Sequence, residues 1–367
     1  MVVVNLVYGL TLPLLSLVLD GQGVSKTVIG LSIMAQASGG IAIASFTPRL
    51  IARFGTGRLM QAATLLAGIT LLSLAVFPHV YAWFPLRFLL GASAAILWSA
   101  SEAVINEMAI DSWRGRIIGL YGAAGAAGFA LGPLILVITG SEGVLPFAVT
   151  AGLILLAGLP LFWLKSANRY ADQGPPPKLW SVFRMAPEIM LLNFTYAAAV
   201  EAFLAFFPLF GLHVGLGEAR SLALLTAFGV GGVVLQLPLG WLADHVDRRR
   251  MLLVCVLATA LGCIALPAII SLKPLAPFFI FGLGGVEGMI YAMGVILLGQ
   301  RFRGVELATA SVVFTTMWGA GAMIGPGFVG AGMDMFGAQV MPYLIAALYG
   351  VYLPMLWLGR RQGLVNE

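Results

Sequence analysis

Hydrophobic residues occur in runs of about twenty along the whole chain, and short charged or Pro/Gly-rich stretches separate the runs. Because a helix needs about 20 apolar residues to cross the hydrocarbon core of a bilayer, each run predicts one membrane-spanning helix. Buried helices of a large soluble protein would need an amphipathic covering layer, which the sequence does not contain. We therefore predict an all-α membrane protein with no soluble domain. Its twelve predicted spans are residues 2–19, 25–47, 59–78, 81–108, 117–139, 144–164, 188–211, 221–243, 251–271, 275–299, 307–331 and 340–358.

The second half of the chain repeats the first at a nearly constant offset. Gly128–Pro133 recurs 193 positions later as Gly321–Pro326. Residues 48–58 form a degenerate copy of the stretch from Gly240 to Arg250, which lies 192 positions later. A repeat at half the length of an apolar chain is typical of a two-lobed transporter, in which parallel halves are related by an axis along the membrane normal.

The longest break between spans separates the two copies of the repeat. It contains Gly174-Pro175-Pro176-Pro177, and a run of prolines favours extended polyproline II geometry. Such a segment suits a linker that lets two bundles rock against each other, although a plain tether would have the same composition. We predict two pseudo-symmetric six-helix bundles, at residues 1–164 and 188–367, joined by a cytoplasmic linker at residues 165–187.

Lys and Arg residues are distributed unequally between the two ends of the predicted spans. With the N-terminus inside, sixteen of them fall on the cytoplasmic side, and three fall on the other side, namely Lys26, Arg220 and Lys273. Because cytoplasmic loops are enriched in Lys and Arg, both termini are predicted to be cytoplasmic. The net charge of +5 follows from short turns next to lipid headgroups, so we predict no binding of nucleic acid.

Composition and motifs exclude several other classes of protein. Charged residues make up 10% of the chain, against about 25% in soluble domains. Cys255 and Cys263 lie eight positions apart in one predicted span, too far along a helix to form a disulfide, and no Cys/His cluster has the spacing of a zinc site. The sequence has no nucleotide-binding motif. We predict no enzyme activity or catalytic residues, no metal, no cofactor and no transport driven by ATP on this chain.

Three motifs resemble those of the major facilitator superfamily, and they are spread over the full length of the chain. The stretch from Gly240 to Arg250 resembles the superfamily's signature between helices 2 and 3, here in its copy between helices 8 and 9. Arg87–Gly91 resembles the helix 4 motif, and Gly128–Pro133 resembles the helix 5 Gly-Pro motif that is often found in exporters. The resemblance implies the superfamily's fold, in which helices 1, 4, 7 and 10 line a central cavity.

Further motifs resemble one bacterial branch of the superfamily, the YcaD type. The resemblance implies a monomer in the bacterial inner (cytoplasmic) membrane. The motifs are Glu201-Ala202-Phe203, Gly285–Tyr291, Arg301–Gly304, Gly325-Pro326 and Met333-Asp334.

The superfamily motifs also supply candidate gating residues. In the arrangement that the signature resembles, its acid, here Asp244, caps the cytoplasmic end of a helix in the opposite half, which for this copy is helix 5. The first-half copy has Ala52 where the superfamily usually has Asp, so the resemblance predicts a one-sided latch. The alternative is that Asp244 only pairs with its own arginines. The other candidates for gating are Gly240, Arg248, Gly132, Pro133, Gly325 and Pro326.

Four charged residues lie well inside predicted spans, away from the span ends, where each costs about 2.5–3.5 kcal/mol on insertion scales. They are Arg87, Glu102, Glu201 and Glu287, and all fall on helices that the resemblance places around the central cavity. At about 1.5 Å per residue, Glu201 and Glu287 are predicted near mid-membrane, Arg87 near the outer mouth and Glu102 near the cytoplasmic mouth. We interpret the four as proton-coupling or substrate residues. The alternative is structural ion pairing, or an internal strut in the case of Arg87.

Polar and aromatic residues near these charges outline a predicted cavity. Its lining is mostly apolar, carries a net negative charge and offers a few polar groups to a solute. Such a lining favours a cationic or amphipathic organic solute. Its predicted members are Asn5, Tyr8, Gln36, Trp98, Asn193, Tyr196, Phe203, Gln236 and Tyr291, with further aromatic faces from Phe206, Phe207 and Trp318.

The function predicted from these features is proton-coupled secondary active transport by alternating access, with export of small cationic or amphipathic compounds. The predicted partners are a small-molecule substrate, protons and the lipid bilayer. A nutrient symporter, a lipid or lysolipid flippase and a non-transporting membrane sensor remain alternatives.

Overall fold

The computed structural model describes residues 2–108, 114–163 and 179–358, which are almost entirely helical. Each predicted span coincides with a helix. In chain order the helices are α1 Val2–Gly21, α2 Lys26–Ala44, α3 Thr56–Val76, α4 Val80–Met108, α5 Arg114–Thr139, α6 Leu145–Gly158, α7 Pro187–His213, α8 Glu218–Val234, α9 Arg248–Ser271, α10 Ala276–Arg301, α11 Gly304–Phe336 and α12 Met341–Leu358. Shorter helices lie at Thr47–Phe54, Leu179–Met185 and Gln236–His245, with 3-10 turns at Leu159–Trp163 and Ala338–Val340.

Two of the twelve helices differ from the expected single, full-length span. Within the described residues, ten helices are long and apolar enough to cross a membrane. α8 and the helix Gln236–His245 meet at a bend of 40°, so the predicted span 221–243 is a broken one. α6 is a shorter apolar helix that continues into a 3-10 turn within the predicted span 144–164. The predicted twelve crossings are reached when the bent pair and the short helix are included.

Local sequence fixes the turns that reverse the chain. Ser25 caps α2 by accepting a hydrogen bond from the backbone N–H of Val28 at 3.3 Å. Asp247 caps α9 in the same way, by accepting one from the backbone N–H of Arg250 at 2.7 Å. Gly55 ends the helix Thr47–Phe54 with a φ of 81°, a conformation that residues with a side chain rarely adopt. These short turns place consecutive helices side by side.

Glycines bring the helices of each half into close contact, and equivalent contacts occur in both halves. A Cβ atom on Gly132 of α5 would overlap the backbone of α1 at Leu6. A Cβ atom on Gly325 of α11 would overlap the backbone of α7 at Ala198. The pairs α2–α4 and α8–α10 depend on glycines in the same way. These are Gly39 and Gly91 in the first half, and Gly231 and Gly284 in the second.

The two halves contact each other through α2 and α11, α5 and α8, and α1 and α7. Gly30 of α2 lies against the Pro326 carbonyl of α11, and Gly229 of α8 lies against Ala130 of α5. Along α7, every residue of the stretch 195–211 is buried. We call the side of the molecule that carries the α1–α2 and α11–α12 turns the outer side, following the charge-based orientation. The halves are closed against each other on this side.

The predicted linker lies mostly outside the described residues, which resume at the helix Leu179–Met185 after residue 163. The exact limits of the two bundles therefore stay a prediction. Their internal packing is repeated at an offset of 192–193 residues, since Gly132 and Leu6 correspond to Gly325 and Ala198.

Candidate functional site

Glu201 of α7 lies at the interface between the two halves. The hydroxyl of Tyr8, on α1, donates a hydrogen bond to Glu201 Oε1 at 3.1 Å. The side chain is only 1% exposed, and its second oxygen, Oε2, is buried without a hydrogen-bond partner. A buried carboxyl group with one unused oxygen can take up a proton or contact a cation, because either neutralises a charge that is costly to bury.

The contact between Tyr8 and Glu201 lies close to the pseudo-symmetry axis. Glycine packing matches Leu6 of α1 with Ala198 of α7, an offset of 192 residues. Tyr8 and Glu201 are 193 residues apart, so they occupy nearly equivalent positions in the two halves and still touch. Only groups near an axis can contact their own symmetry equivalents. The carboxyl group of Glu201 is therefore placed where the two halves must move relative to each other.

Arg87 of α4 is fully buried inside the first half, although the sequence predicted it at the outer mouth. Its Nη1 donates to Ser32 Oγ at 2.8 Å, its Nε donates to Gln36 Oε1 at 3.2 Å, and its Nη2 has no partner. Within the part of the chain that the structure describes, the guanidinium forms no ion pair shorter than 4.0 Å. It is nevertheless near enough to Glu201 and Tyr8 to interact with both electrostatically. Arg87 thus adds a positive charge behind the interface.

Ser32 was missed by the sequence analysis, although it is the residue closest to Arg87 Nη1. It lies one helical turn before Gln36, on the same face of α2. That i, i+4 spacing of two polar side chains in an apolar span is the signal that identifies the pair.

Glu287 of α10 lies inside the second half rather than in a central cavity, which differs from the predicted location. It is 4% exposed and accepts a hydrogen bond from the Tyr349 hydroxyl of α12 at 3.0 Å. Beside it is a cavity of about 10 Å³, room for one water at most, into which Thr259 turns a buried hydroxyl without a partner. Helices of the second half form the whole lining, which consists of Ala199, Phe203, Phe228, Thr259, Cys263, Leu283, Glu287, Ile345 and Tyr349.

The first half contains a matching cavity of about 20 Å³, between α1, α2, α3, α4 and α6. Tyr8, Thr11 and Gln36 are its polar lining residues. The position equivalent to Glu287, 193 residues earlier, is Ala94, which also lines this cavity. Neither of these two cavities is large enough for an organic solute.

An aromatic cluster from α7, α10 and α11 faces the space between the halves. The rings of Tyr196, Tyr291 and Trp318 lie with centroids 5.4 to 5.6 Å apart. Tyr291 is 38% exposed although it lies in the middle of α10. Glu102 of α4, in the opposite half, is exposed and close enough to interact electrostatically with Tyr291. Glu102 and Tyr291 belong to different halves and lie in the inner halves of their helices, and we call the region between them the inner passage.

The other predicted lining residues are dispersed. Trp98 packs edge-on against Tyr8 with ring centroids 6.0 Å apart. Asn193 donates to the Phe314 carbonyl at 2.6 Å and keeps its Oδ1 buried without a partner. Asn5 is buried beside Gly125 of α5. Gln236 is exposed at the bend after α8 and Phe203 lines the Glu287 cavity, so neither belongs to the inner passage.

The predicted gating residues fall into two groups. Gly132 and Gly325 pack inside their own halves, whereas Pro326 presents its carbonyl to Gly30 across the interface. Asp244 is 68% exposed, and its Oδ1 lies 3.9 Å from Arg248 Nη2 on the next helix. The side chains at the start of α5, residues 114–119, lie outside the description, so the contact between Asp244 and that helix stays a prediction.

Replacement of Asp244 by Asn is expected to shift the protein toward the state that is open inside by a factor of about 2–30, the range set by the free energy of a charge at a helix N-terminus. Ala52→Asp should shift it the other way. The shift is measured by double electron–electron resonance, as a change in the distances between spin labels on the two inner rims. Unchanged distances in both variants would mean that Asp244 only pairs with Arg248.

The family model described as Major Facilitator Superfamily matches residues 1–225 and 219–365 of the chain. Among curated proteins, the MFS-type transporter YfkF of Bacillus subtilis (strain 168) is 26% identical, and the match covers 95% of this chain and 90% of the relative. The MFS-type transporter YcaD of Salmonella enteritidis PT4 (strain P125109) is 24% identical, with coverage of 89% and 85%.

Two kinds of solved transporter have a similar fold. The nucleoside transporter NupG superposes with a TM-score of 0.81 at 13% identity, covering 97% of this chain and 96% of the other. A D-xylose-proton symporter superposes with a TM-score of 0.77 at 16% identity, covering 97% of this chain and 95% of the other. At these identities the likeness concerns the fold and not the solute.

Proposed function

Since the chain belongs to the major facilitator superfamily, we propose that this multi-pass membrane transporter is proton-coupled and exports small cationic or amphipathic organic compounds by alternating access. The observation that carries the proposal is Glu201, a carboxyl group buried between the two halves with one unused oxygen. Each state of the transporter would expose this group to a different side.

Competition for one carboxyl group explains how two solutes are coupled. An ionised, unpaired carboxylate is expensive to keep between closed halves, so the protein changes state readily only when Glu201 is neutralised. A proton neutralises it, and so does an organic cation, but the two exclude each other. Exchange of a proton for a cation is the consequence. Arg87, close by in the first half, would favour release of the proton once the site is hydrated.

Glu287 is assigned a structural role in this proposal. It is enclosed by helices of one half and bonded to Tyr349, so rocking of the halves does not change its surroundings. A carboxyl group that keeps the same neighbours in both states cannot link a proton to the change of state.

The inner passage supports the proposed class of solute. Tyr291, which is exposed, and Trp318, which is half-buried, supply ring area on one side, and Glu102 supplies a carboxylate on the other. An organic ammonium ion would gain both a cation–π contact and a charge interaction there. An anion would be repelled by Glu102, and Arg87 is fully buried and cannot contact it.

The setting that we propose for the transporter is the bacterial inner membrane, with both termini cytoplasmic and the chain a monomer. The imbalance of sixteen against three basic residues between the two sides supports this orientation. The bacterial origin of the matched relatives supports the membrane.

Matched cationic, neutral and anionic analogues test the proposed solute class. In thermal-shift assays on purified protein, the cation is expected to bind best. Tyr291→Ala should weaken its binding by about 2–30-fold, while Tyr291→Phe keeps the ring and should bind nearly as well as the native protein. In proteoliposomes, the same cation should move against its gradient when the pH differs across the membrane. Preference for a dianion, or uptake in the same direction as the proton, would support a nutrient symporter instead.

A further inference from the structure

A carboxylate at the outer rim joins the two halves through three hydrogen bonds. Asp334 lies near the outer end of α11, in the second half. Its Oδ1 accepts from the backbone N–H of Lys26 at 2.9 Å. Its Oδ2 accepts from the backbone N–H of Thr27 at 2.8 Å and from the Thr27 hydroxyl at 2.6 Å. Lys26 and Thr27 are the first two residues of α2, in the other half.

The contact satisfies groups that α2 cannot satisfy by itself. The first N–H groups of a helix have no acceptor within the helix, and together they carry a partial positive charge. Ser25 accepts from the N–H of Val28, which leaves those of Lys26 and Thr27 for Asp334. The ammonium group of Lys26 pairs instead with Asp20 of its own half, at 2.8 Å. Asp334 therefore hydrogen-bonds to the helix end, and the charge of Lys26 acts on it only through space.

Close packing below the rim makes this contact specific to one arrangement of the halves. Gly330 lies one turn before Asp334 on α11, and a Cβ atom there would overlap the Lys26 carbonyl. One turn further along α2, Gly30 lies against Pro326. α2 and α11 must separate at these points when the outer side opens, and all three hydrogen bonds of Asp334 would then break.

We infer that Asp334 and the N-terminus of α2 form an outer clasp, which stabilises the state closed to the outside and holds back its opening. The clasp is one-sided, because the position equivalent to Asp334 in the first half, 193 residues earlier, is the uncharged Ser141. The clasp acts in the direction opposite to the latch predicted for Asp244 on the inner side. It depends on the movement of the two halves and not on what drives transport.

Distance measurements between the halves test the clasp. Spin labels at positions 79 and 273 mark the outer turns α3–α4 and α9–α10, and labels at 58 and 250 mark the inner rims, in a protein whose Cys255 and Cys263 are replaced by Ala. Asp334→Asn should increase the population that is open outside by roughly 2–30-fold, and the inner distances should shorten to match. Thr27→Val, which removes one of the three hydrogen bonds, should shift the population in the same direction by less.

Asp20→Asn is the matched control, since it removes the same charge from the same rim within a single half. It should leave both distance distributions unchanged. At high salt, the shift caused by Asp334→Asn should be smaller. The contact is exposed, so salt screens it and weakens the clasp in the native protein as well. Unchanged outer distances in both Asp334→Asn and Thr27→Val, or an equal shift in Asp20→Asn, would overturn the clasp. Neither result bears on proton coupling, which is measured by flux.

Discussion

Glu201→Gln is expected to abolish transport against a solute gradient, while exchange of solute for solute should continue with a weaker affinity for cations, because the amide carries no charge to attract them. The amide keeps the shape of the side chain and can still accept from Tyr8, but it cannot bind and release a proton. A gradient of one pH unit supplies about 1.4 kcal/mol per proton, equivalent to a tenfold accumulation of solute. The variant should therefore lose a tenfold accumulation of solute for each proton that the native protein exchanges for one solute molecule. Flux in proteoliposomes with an imposed pH gradient, compared with counterflow at equal pH, measures it.

Glu287→Gln is the matched control, because it is the same change at the same depth in the same half. Its carboxyl group faces Tyr349 and a cavity that is closed off from the interface. Gradient-driven accumulation should therefore persist, with a change in thermal stability as the main effect. Accumulation that survives in Glu201→Gln, or that is lost only in Glu287→Gln, would show that the proton is carried by a different group from the one proposed.

The membrane-spanning helices could be predicted from the sequence because each depends on the local run of residues that forms it. A run of apolar residues long enough to cross a bilayer has few other stable outcomes, and the turns between runs carry their own capping residues, as Ser25 and Asp247 do. The charges within spans were also informative, since burying Glu201 in lipid is costly and an interface is the place that relieves the cost. The same argument from depth and helix placed Glu287 in the central cavity, whereas the structure encloses it among helices of the second half.

The rotation of each helix about its axis was not predictable in the same way. α10 is apolar on all sides, so no polar stripe marks which face meets the passage. Tyr291 and Glu287 are one turn apart on this helix, yet one is 38% exposed and the other is enclosed within the second half. Close packing, such as that of Gly284 against Phe228 of α8, fixes which of them faces the interface.

Contacts between residues far apart in the sequence were the second feature that could not be predicted. Asp334 was noticed as part of a motif, but nothing in the sequence pairs it with a helix that begins 308 residues earlier. The break in the span 221–243 is different, because Pro238 lies just after it and has no N–H to donate to the carbonyl of Val234, where α8 ends. The contact of Asp334 follows only from how the helices fit together, whereas the bend has a local signal in the sequence.

Gly30→Ala is expected to shift the transporter strongly toward the state that is open outside. The added Cβ would overlap the Pro326 carbonyl of α11, across the interface between the halves. Overpacking costs about 1–3 kcal/mol, and here the cost falls only on the state in which α2 and α11 are in contact. The population should therefore change by roughly 5–150-fold, measured with the outer pair of spin labels.

Gly132→Ala adds the same methyl group at a contact within one half. Its Cβ would overlap α1 at Leu6, a contact that rocking of the halves leaves intact in both states. This variant should lower the temperature of unfolding and leave the outer distances unchanged. A shift of the distances as large as that of Gly30→Ala would mean that the first half itself deforms during the cycle. With the expected result, the glycines of the Gly-Pro motifs hold each half together, and the parts of the motifs that meet the opposite half are Ala130 and the carbonyl of Pro326.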